Sequence, residues 1–257
     1  MLPLGLFGVW RLVAPAHSVR ASVVGLVVYV SIPLGFDSLA TGSWRGLLGY
    51  GLAPWVLARL LRASGEAPFG AADPPAGPRV VVPPWWRQTL ILGVLVALAA
   101  AVDPLWTILP LAVVVAMVPG SIVAGRVRGL VRMFGAAIGA GALAVVLHAP
   151  RAVELLGPGV DWSTFTGGRT GDPEHTPLLR ILRFDTGPIG SSVLNAAVLV
   201  VAAYVLVVGR GWRLTWAARA WSVALVSWGL VWAAGMGWLP VALPPTELVL
   251  APAGVAI

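Results

Sequence analysis

Arg180, Arg183 and Asp185 are the residues whose types and spacing come closest to a chemical site. The segment LLRILRF (178–184) predicts a short amphipathic helix with the two arginines three residues apart on one face, where a cationic pair could hold a phosphate. The following Asp-Thr-Gly-Pro sequence predicts a turn that begins with Asp185. Asp185 could cap that turn, or act as a base or as a hydrogen-bond acceptor for a substrate hydroxyl.

The stretch 149–191 around these residues carries five of the ten acidic residues of the chain. His175 lies there beside Glu174, and both are candidate substrate-binding residues. One interpretation is a solvated loop, and the sharper one is a polar rim over a substrate cavity. Asp103 stands alone between two apolar runs, where an ionisable residue is a functional candidate by default. Its alternative, which Asp37 shares, is to cap a helix.

Several kinds of site are excluded or disfavoured. The chain has no cysteine, which excludes disulfides and thiolate chemistry, and its three histidines are far apart, so no metal site and no cofactor are expected. Residues 139–144 imitate a G-x-G-x-x-A dinucleotide fingerprint, but they lie inside a continuous apolar run without the strand and turn that such a site needs. Gly135 and Gly139 instead predict a close helix-packing face.

The elements that must position these residues are membrane helices. Hydrophobic residues make up 58% of the chain and charged residues only 11%, against about 25% in soluble domains. The net charge is +7, and all 17 basic residues are arginines that cluster at the ends of apolar runs. This placement favours membrane orientation and contact with anionic lipid over nucleic-acid binding.

The sequence therefore predicts an all-α, polytopic transmembrane helical bundle. It has about six to seven spans, one interfacial helix and one long extracytoplasmic loop, in a single membrane domain over 1–257. Six apolar stretches are predicted to span: Ala21–Phe36, Thr89–Val102, Leu105–Ala124, Val131–His148, Ser192–Val208 and Ala220–Gly237. A last apolar stretch begins near Glu247.

Trp44–Arg62 is ambiguous because it is apolar but contains Pro54 and is bordered by arginines. A bent amphipathic helix in the interface is favoured over a span. Residues 63–88 are rich in proline and glycine and predict a linker, so that 37–88 forms a cytoplasmic interfacial helix and linker. The first four spans then occupy 21–148, and the last spans occupy 192–257.

Two all-arginine loops set the orientation through the positive-inside rule. The loop with Arg126, Arg128 and Arg132 and the loop with Arg210, Arg213 and Arg219 are both predicted to be cytoplasmic. Asp103 and the loop 149–191 are then extracytoplasmic, as is Met1. An N-terminus on that side and a last helix too short to span favour a fragment of a longer protein.

Three segments carry a resemblance to a known family: GFDSLATGSWRGLLGYGLAPWVLARLLRASGEAPFG, LRFDTGPIG, and GRGWRLTWAARAWSVALVSWGLVWAAG with the later PPTELVLAPA. They resemble the membrane region of large bacterial family 2 glycosyltransferase proteins, a region similar to GT-C membrane glycosyltransferases. The resemblance implies transfer of a sugar from a polyprenyl-phosphate-linked donor to a cell-envelope glycan, in a multi-pass protein of the cell membrane.

Such chemistry needs a carboxylate base and cations near the departing phosphate. Asp185 or Asp103 is the candidate for the base, and Arg180 and Arg183 are the candidates for the cations. The expected partners are the lipid bilayer, the lipid-linked sugar, the envelope glycan and other parts of a longer polypeptide. The family's usual catalytic carboxylate would lie upstream of Met1, so this segment could lack the base. The alternative is a non-enzymatic membrane scaffold or lipid-glycan transporter.

Overall fold

The computed structural model describes residues 1–16, 18–69, 84–155, 176–189, 193–239 and 243–257. Within these ranges the regular elements are helices and there is no strand, which confirms the all-α class. Two short 3-10 helices cover Ala14–Ala16 and Pro104–Thr107. The α-helices are α1 (Leu2–Val13), α2 (Val19–Ser31), α3 (Leu34–Ala40), α4 (Trp44–Ser64), α5 (Trp85–Ala100), α6 (Leu109–Ala116), α7 (Val118–Val123), α8 (Arg128–Leu147), α9 (Ala149–Leu155), α10 (Leu178–Leu182), α11 (Val193–Val208), α12 (Trp212–Gly235) and α13 (Thr246–Ala256).

Three helical stretches are long and apolar enough to cross a membrane: Val19–Ala40, Gly129–Leu147 and Trp212–Gly235. Each of them overlaps one of the spans predicted from the sequence: Ala21–Phe36, Val131–His148 and Ala220–Gly237. Large apolar side chains face outward, among them Val207 (84% exposed) and Leu98 (67% exposed). An apolar exterior of this extent is typical of a surface that contacts lipid rather than water.

Tyr29 and Tyr50 join α2 to α4 in an arrangement that two prolines explain. The rings stack with centroids 4.4 Å apart. The Tyr29 hydroxyl donates to the Tyr50 carbonyl at 3.0 Å, and the Tyr50 hydroxyl donates to the Tyr29 carbonyl at 2.6 Å. Pro54 and Pro33 each stand four residues after one of these tyrosines, at the position whose N–H would normally bond that carbonyl. Each hydroxyl thus replaces a donor that a proline lacks.

Arg11, Arg62, Arg126 and Arg219 lie at one end of the bundle, which we call the arginine end. Arg62 at the end of α4 donates to the carbonyl of Arg11 at 2.9 Å, so α1 and α4 finish together. Arg219 donates to the carbonyl of Arg126 at 2.7 Å and pairs with Glu66, which follows α4. These contacts join the ends of α1, α4 and α7 to the first half of α12.

The opposite end is held by carboxylates, and we call it the acidic end: Asp37, Asp103, Asp185 and Glu247. Arg45, at the start of α4, lies 3.4 Å from the Asp103 carboxylate. The amide of Thr186 donates to Asp37. Gly46 packs directly on Glu247, because a Cβ built on it would lie 2.8 Å from the Glu247 Cβ. The start of α4 therefore lies beside α3, the start of α13 and the segment after α5.

Helix α4 is central to the bundle, in contrast to the interfacial helix that the sequence favoured. It runs from the acidic end to the arginine end and packs against α1, α5, α8 and α13. Fourteen of its 21 residues are buried. Pro54 can lie inside it because Tyr29 satisfies the carbonyl that the proline leaves free. The predicted interfacial position for 44–62 does not agree with this burial.

The central position of α4 also changes part of the predicted orientation. The sequence placed Arg45 and Asp37 on the cytoplasmic side, and Asp103 and the loop 149–191 on the other. Arg45 contacts Asp103 and Asp37 contacts Thr186, so each pair lies on one side. Groups in contact cannot be separated by a hydrocarbon core about 30 Å thick. Because α1 runs parallel to α4, the segment between α1 and α2 lies at the arginine end. The sequence had placed this segment on the extracytoplasmic side.

The glycine pair of α8 packs closely on α5, as its spacing predicts. A Cβ on Gly139 would lie 2.8 Å from the Thr89 side chain, and one on Gly135 would lie 3.0 Å from the Trp85 ring. Gly135 meets Trp85, and Gly139, four residues later, meets Thr89, four residues after Trp85. Helices α5 and α8 therefore run in the same direction. The prediction of a helix-packing face is confirmed, and the residues 139–144 lie inside one continuous helix.

Candidate functional site

Asp37 holds the turn that follows α10. Its buried carboxylate accepts hydrogen bonds from the amides of Thr186 at 3.2 Å and Ile189 at 3.1 Å. Gly187 lies so close that a Cβ there would overlap the Asp37 carboxylate, which explains the glycine. Asp37 therefore does more than cap a nearby helix, because it fixes a turn 149 residues away in the chain.

Asp185 is engaged by the arginine that the sequence placed beside it in the site. The Arg180 guanidinium donates to both carboxylate oxygens of Asp185, at 3.3 Å and 3.2 Å. Asp185 is 7% exposed, and the Arg180 side chain is 49% exposed. The predicted base and one predicted phosphate-binding cation thus neutralise each other. Arg183 ends α10 and is exposed.

The C-terminus of α10 presents this pair through an unusual backbone. Phe184 has φ of 57°, in the left-handed region where glycine is favoured. The amide of Asp185 bonds the Arg180 carbonyl at 2.9 Å, and the amide of Phe184 bonds that of Ile181 at 3.0 Å. Burial of the Phe184 ring against Trp228, at 5.6 Å between centroids, offsets the backbone cost.

Asp103 has the capping geometry that its position before Pro104 predicts, and it also has a cationic partner. One carboxylate oxygen accepts from the amide of Leu105 at 3.0 Å, and the other lies 3.4 Å from the Arg45 guanidinium. Asp103 is 1% exposed. Nearby, the Nε1 of Trp106 is buried without a hydrogen-bond partner among the described residues.

An apolar groove has Leu105, two residues after Asp103, in its wall. It lies between the 3-10 helix Pro104–Thr107, α6, α12 and the start of α13, and its volume is about 200 Å³. The amide of Leu105 bonds Asp103, and Ala116 and Val223 also line the groove. For scale, a buried apolar cavity of about 150 Å³ holds a benzene molecule. The groove is therefore wide enough for part of a hydrocarbon chain.

A second polar centre lies at the arginine end and was missed from the sequence. The Arg219 side chain is fully buried and donates to Glu66 at 2.5 Å, to the Ser121 hydroxyl at 2.9 Å and to the Arg126 carbonyl. Its guanidinium also lies 4.6 Å from the centre of the Trp216 ring. The sequence placed Arg219 in an all-arginine cytoplasmic loop and gave it no partner. The sequence holds no direct signal for this pair, because Glu66 and Arg219 are 153 residues apart.

The predicted site residues fall into those that the structure describes and those that it does not. The structure brings Arg180 and Asp185 together and places Asp103 at the same end of the bundle, whereas Glu174 and His175 lie outside the described residues. Glu247, which the sequence did not single out, joins this end from α13. Within the part of the chain that is described, no group of three or more Asp, Glu or His side chains could hold a metal ion.

Comparisons with protein-family models, with curated proteins and with solved structures gave no match.

Proposed function

We propose that the chain is a segment of an integral membrane glycosyltransferase that transfers a sugar from a polyprenyl-phosphate-linked donor to a cell-envelope glycan. The acceptor hydroxyl gives its proton to a carboxylate and attacks the anomeric carbon of the sugar. The bond from that carbon to the phosphate oxygen breaks, and polyprenyl phosphate leaves. The proposal extends the resemblance of the sequence to the membrane region of large family 2 glycosyltransferase proteins.

The observation that carries the proposal is the apolar groove whose wall includes Leu105, the residue whose amide donates to the Asp103 carboxylate. A lipid-linked donor needs an apolar channel for its chain and polar groups where the chain meets the phosphate. The amide of Leu105, in the groove wall, donates to the Asp103 carboxylate. The apolar wall and a polar group therefore lie within two residues of each other. Asp103 is the favoured base because its hydrogen-bond partner Leu105 lines the groove, whereas Asp185 is bonded to Arg180.

Cations near the departing phosphate would stabilise the charge that develops on it. Arg45 is the closest cation to Asp103 in the described chain, and Arg180 and Arg183 remain candidates in the polar rim at the same end. Glu174 and His175 remain candidates for contacts with the sugar or the acceptor. In this proposal the groove holds the lipid chain of the donor, and the arginines contact its phosphate.

The same proposal gives the orientation. We infer that seven helical stretches of the described chain cross the membrane: α2 with α3, α4, α5, α6 with α7, α8, α11 and α12. The arginine end is cytoplasmic by the positive-inside rule, and the acidic end with the loop 149–191 is extracytoplasmic. Transfer from a lipid-linked donor would take place at the acidic end, on the face of the cell membrane where envelope glycans are assembled.

The test is the substitution Asp103→Asn in the full-length protein in membranes. Asn keeps a side-chain oxygen for the Leu105 amide but cannot accept a proton, so sugar transfer should fall by about 100-fold or more. Transfer is measured as radiolabel that moves from polyprenyl-phosphate-linked sugars into the envelope glycan. The matched control is Glu154→Gln, because Glu154 is an exposed carboxylate on α9. It should transfer at the wild-type rate.

Two outcomes would count against the proposal. A D103N protein that folds normally and transfers at the wild-type rate removes Asp103 as the base. A wild-type protein that transfers none of the donors would leave the non-enzymatic scaffold or the lipid-glycan transporter as the better account.

A further inference from the structure

Four arginines from three helices come together at the arginine end, apart from the Glu66–Arg219 pair: Arg11, Arg59, Arg62 and Arg87. Arg62 reaches across to the Arg11 carbonyl at 2.9 Å. Arg59 lies one turn earlier on α4 and donates to Gln88, the neighbour of Arg87 on α5, at 3.3 Å. The four residues thus form one cationic cluster on α1, α4 and α5.

The cluster has no counter-ion among the described residues. The ion pairs among all the described residues join Arg45 to Asp103, Arg180 to Asp185, and Arg219 to Glu66. No carboxylate in that part of the chain lies within ion-pair distance of the four clustered arginines. Bringing like charges together raises the free energy of the folded protein unless an anion joins them. The arrangement therefore fits a bound anion.

Gln88 supplies a second and independent observation. It is 1% exposed, and its Oε1 accepts from Arg59 at 3.3 Å. Its Nε2 is buried with no hydrogen-bond partner among the described residues. A buried amide N–H without an acceptor is costly. Gln88 also lies in the first turn of α5, where the helix dipole is positive and no acidic residue is present.

The depth of the cluster points to the source of the anion. Trp10 is 42% exposed beside Arg11, and Trp86 is 59% exposed beside Arg87. Exposed tryptophans are typical of the level where lipid headgroups meet the hydrocarbon core. Guanidinium groups match the oxygens of a phosphate in geometry and charge.

We propose that Arg11, Arg59, Arg62 and Arg87, with the Gln88 amide, form a binding site for the phosphate of an anionic lipid headgroup. The site lies at the opposite end of the bundle from the groove at Asp103. It is independent of the proposed sugar transfer, and its test needs no activity.

The experiment measures lipid retained by the purified full chain with native mass spectrometry, after exchange into phosphatidylglycerol or phosphatidylcholine. Wild-type protein should retain phosphatidylglycerol about tenfold or more in preference to phosphatidylcholine. The variant Arg11→Gln with Arg87→Gln changes only exposed side chains, so it should fold, and it should lose about tenfold of this retention. The variant Arg59→Gln with Arg62→Gln should lose more of its phosphatidylglycerol retention than the first variant does.

The matched control is Arg210→Gln with Arg213→Gln. These two arginines are also exposed and near the arginine end, and the change in charge is the same. The control should retain phosphatidylglycerol within about twofold of wild type, because general attraction of lipid is shared over many arginines. Equal losses in control and site variants would overturn the proposal, as would unchanged retention in both site variants.

A second arm distinguishes a lipid from a free anion. Inorganic phosphate is added to delipidated protein, and thermal unfolding is followed. For a headgroup site, phosphatidylglycerol stabilises the wild type and the stabilisation is lost in R11Q/R87Q, whereas millimolar phosphate has little effect. Equal stabilisation by phosphate, lost in the same variant, would support the phosphate site but assign it to a free anion. Stabilisation by neither would overturn it.

Discussion

Tyr29 and Tyr50 each donate their hydroxyl to the other's backbone carbonyl, and each of those carbonyls faces a position occupied by proline. The hydrogen bonds measure 3.0 Å and 2.6 Å. In a bilayer no water replaces the missing donors, so an unsatisfied carbonyl would be costly. Two tyrosines and two prolines on α2 and α4 therefore act as one unit, in which each residue depends on a partner in the other helix.

The first prediction tests this unit. Tyr29→Phe keeps the stacked ring but leaves the Tyr50 carbonyl without a donor, and should lower the free energy of unfolding by about 1–3 kcal/mol. In a Pro54→Ala background the alanine N–H supplies the missing bond, so the same change should cost much less. Thermal and denaturant unfolding in detergent compare the four proteins. Equal costs of Y29F in both backgrounds would contradict the coupling.

The second prediction concerns the buried Arg219. Glu66→Gln leaves its guanidinium without a counter-charge, and should destabilise the protein by about 3–5 kcal/mol. Glu154→Gln, which alters an exposed carboxylate, should have little effect. The double variant E66Q/R219Q should be less destabilised than the sum of the single variants, since it no longer buries an unpaired charge. Additive losses in unfolding experiments would show that the pair is not coupled.

The third prediction compares two helical glycines. A Cβ on Gly120 would overlap the Ala218 carbonyl, so Gly120→Ala must push α7 away from α12 and should cost about 1–3 kcal/mol. A Cβ on Gly229 meets nothing within 4 Å. Gly229→Ala should therefore be neutral or stabilise by up to about 1 kcal/mol. Melting temperatures measured in one detergent rank the stabilities of the two variants. A Gly120→Ala protein more stable than Gly229→Ala would contradict the close contact between α7 and α12.

The fourth prediction concerns sidedness, and the absence of natural cysteine makes it direct. Single cysteines at the exposed positions Ala40 and Pro188 should react with a membrane-impermeant maleimide from one side of the membrane. Cysteines at Ala16 and Val127 should react from the other. The orientation predicted from sequence alone places Ala40 with Val127 instead. Labelling of intact cells and of inverted vesicles separates the two arrangements.

The fifth prediction tests the groove. Ala112→Phe projects a ring into it, and should raise the KM for a polyprenyl-phosphate-linked donor by about tenfold if the lipid chain lies there. Val115→Phe is the matched control, three residues later on α6, at a position that is 52% exposed and outside the groove wall. Its KM should be close to that of the wild type. Equal KM values for both variants would remove the lipid chain from this groove.

The helices themselves follow from the sequence because apolar runs, caps and glycine spacing are local signals. Gly135 and Gly139 predicted a packing face, and they pack on α5. Trp44–Arg62 was misassigned because its proline and flanking arginines are unfavourable for an isolated span. Tyr29 supplies the hydrogen bond that Pro54 removes, and it lies in another helix. A local pattern cannot include that contribution.

The candidate site was predictable only where its residues are neighbours in the chain. Arg180 and Asp185 are five residues apart, and their association follows from helix and turn geometry. Asp37 and Thr186 are 149 residues apart, and Glu66 and Arg219 are 153 apart. Contacts at such separations depend on how whole helices are arranged, for which one sequence holds no direct signal.

The Glu66–Arg219 contact also gives the two ends of the bundle unequal resistance to opening. Arg219 is fully buried and bonds three other segments, whereas Arg45 and Arg180 at the other end have side chains that are 36% and 49% exposed. Exposed ion pairs contribute only about 0–1 kcal/mol each. Local unfolding should therefore start around Arg45 and Arg180, and amide hydrogen exchange should be faster there than around Arg219. If the groove holds the lipid chain of the donor, as proposed, that chain should enter between helices at the end with Arg45 and Arg180, where less free energy is needed to separate them.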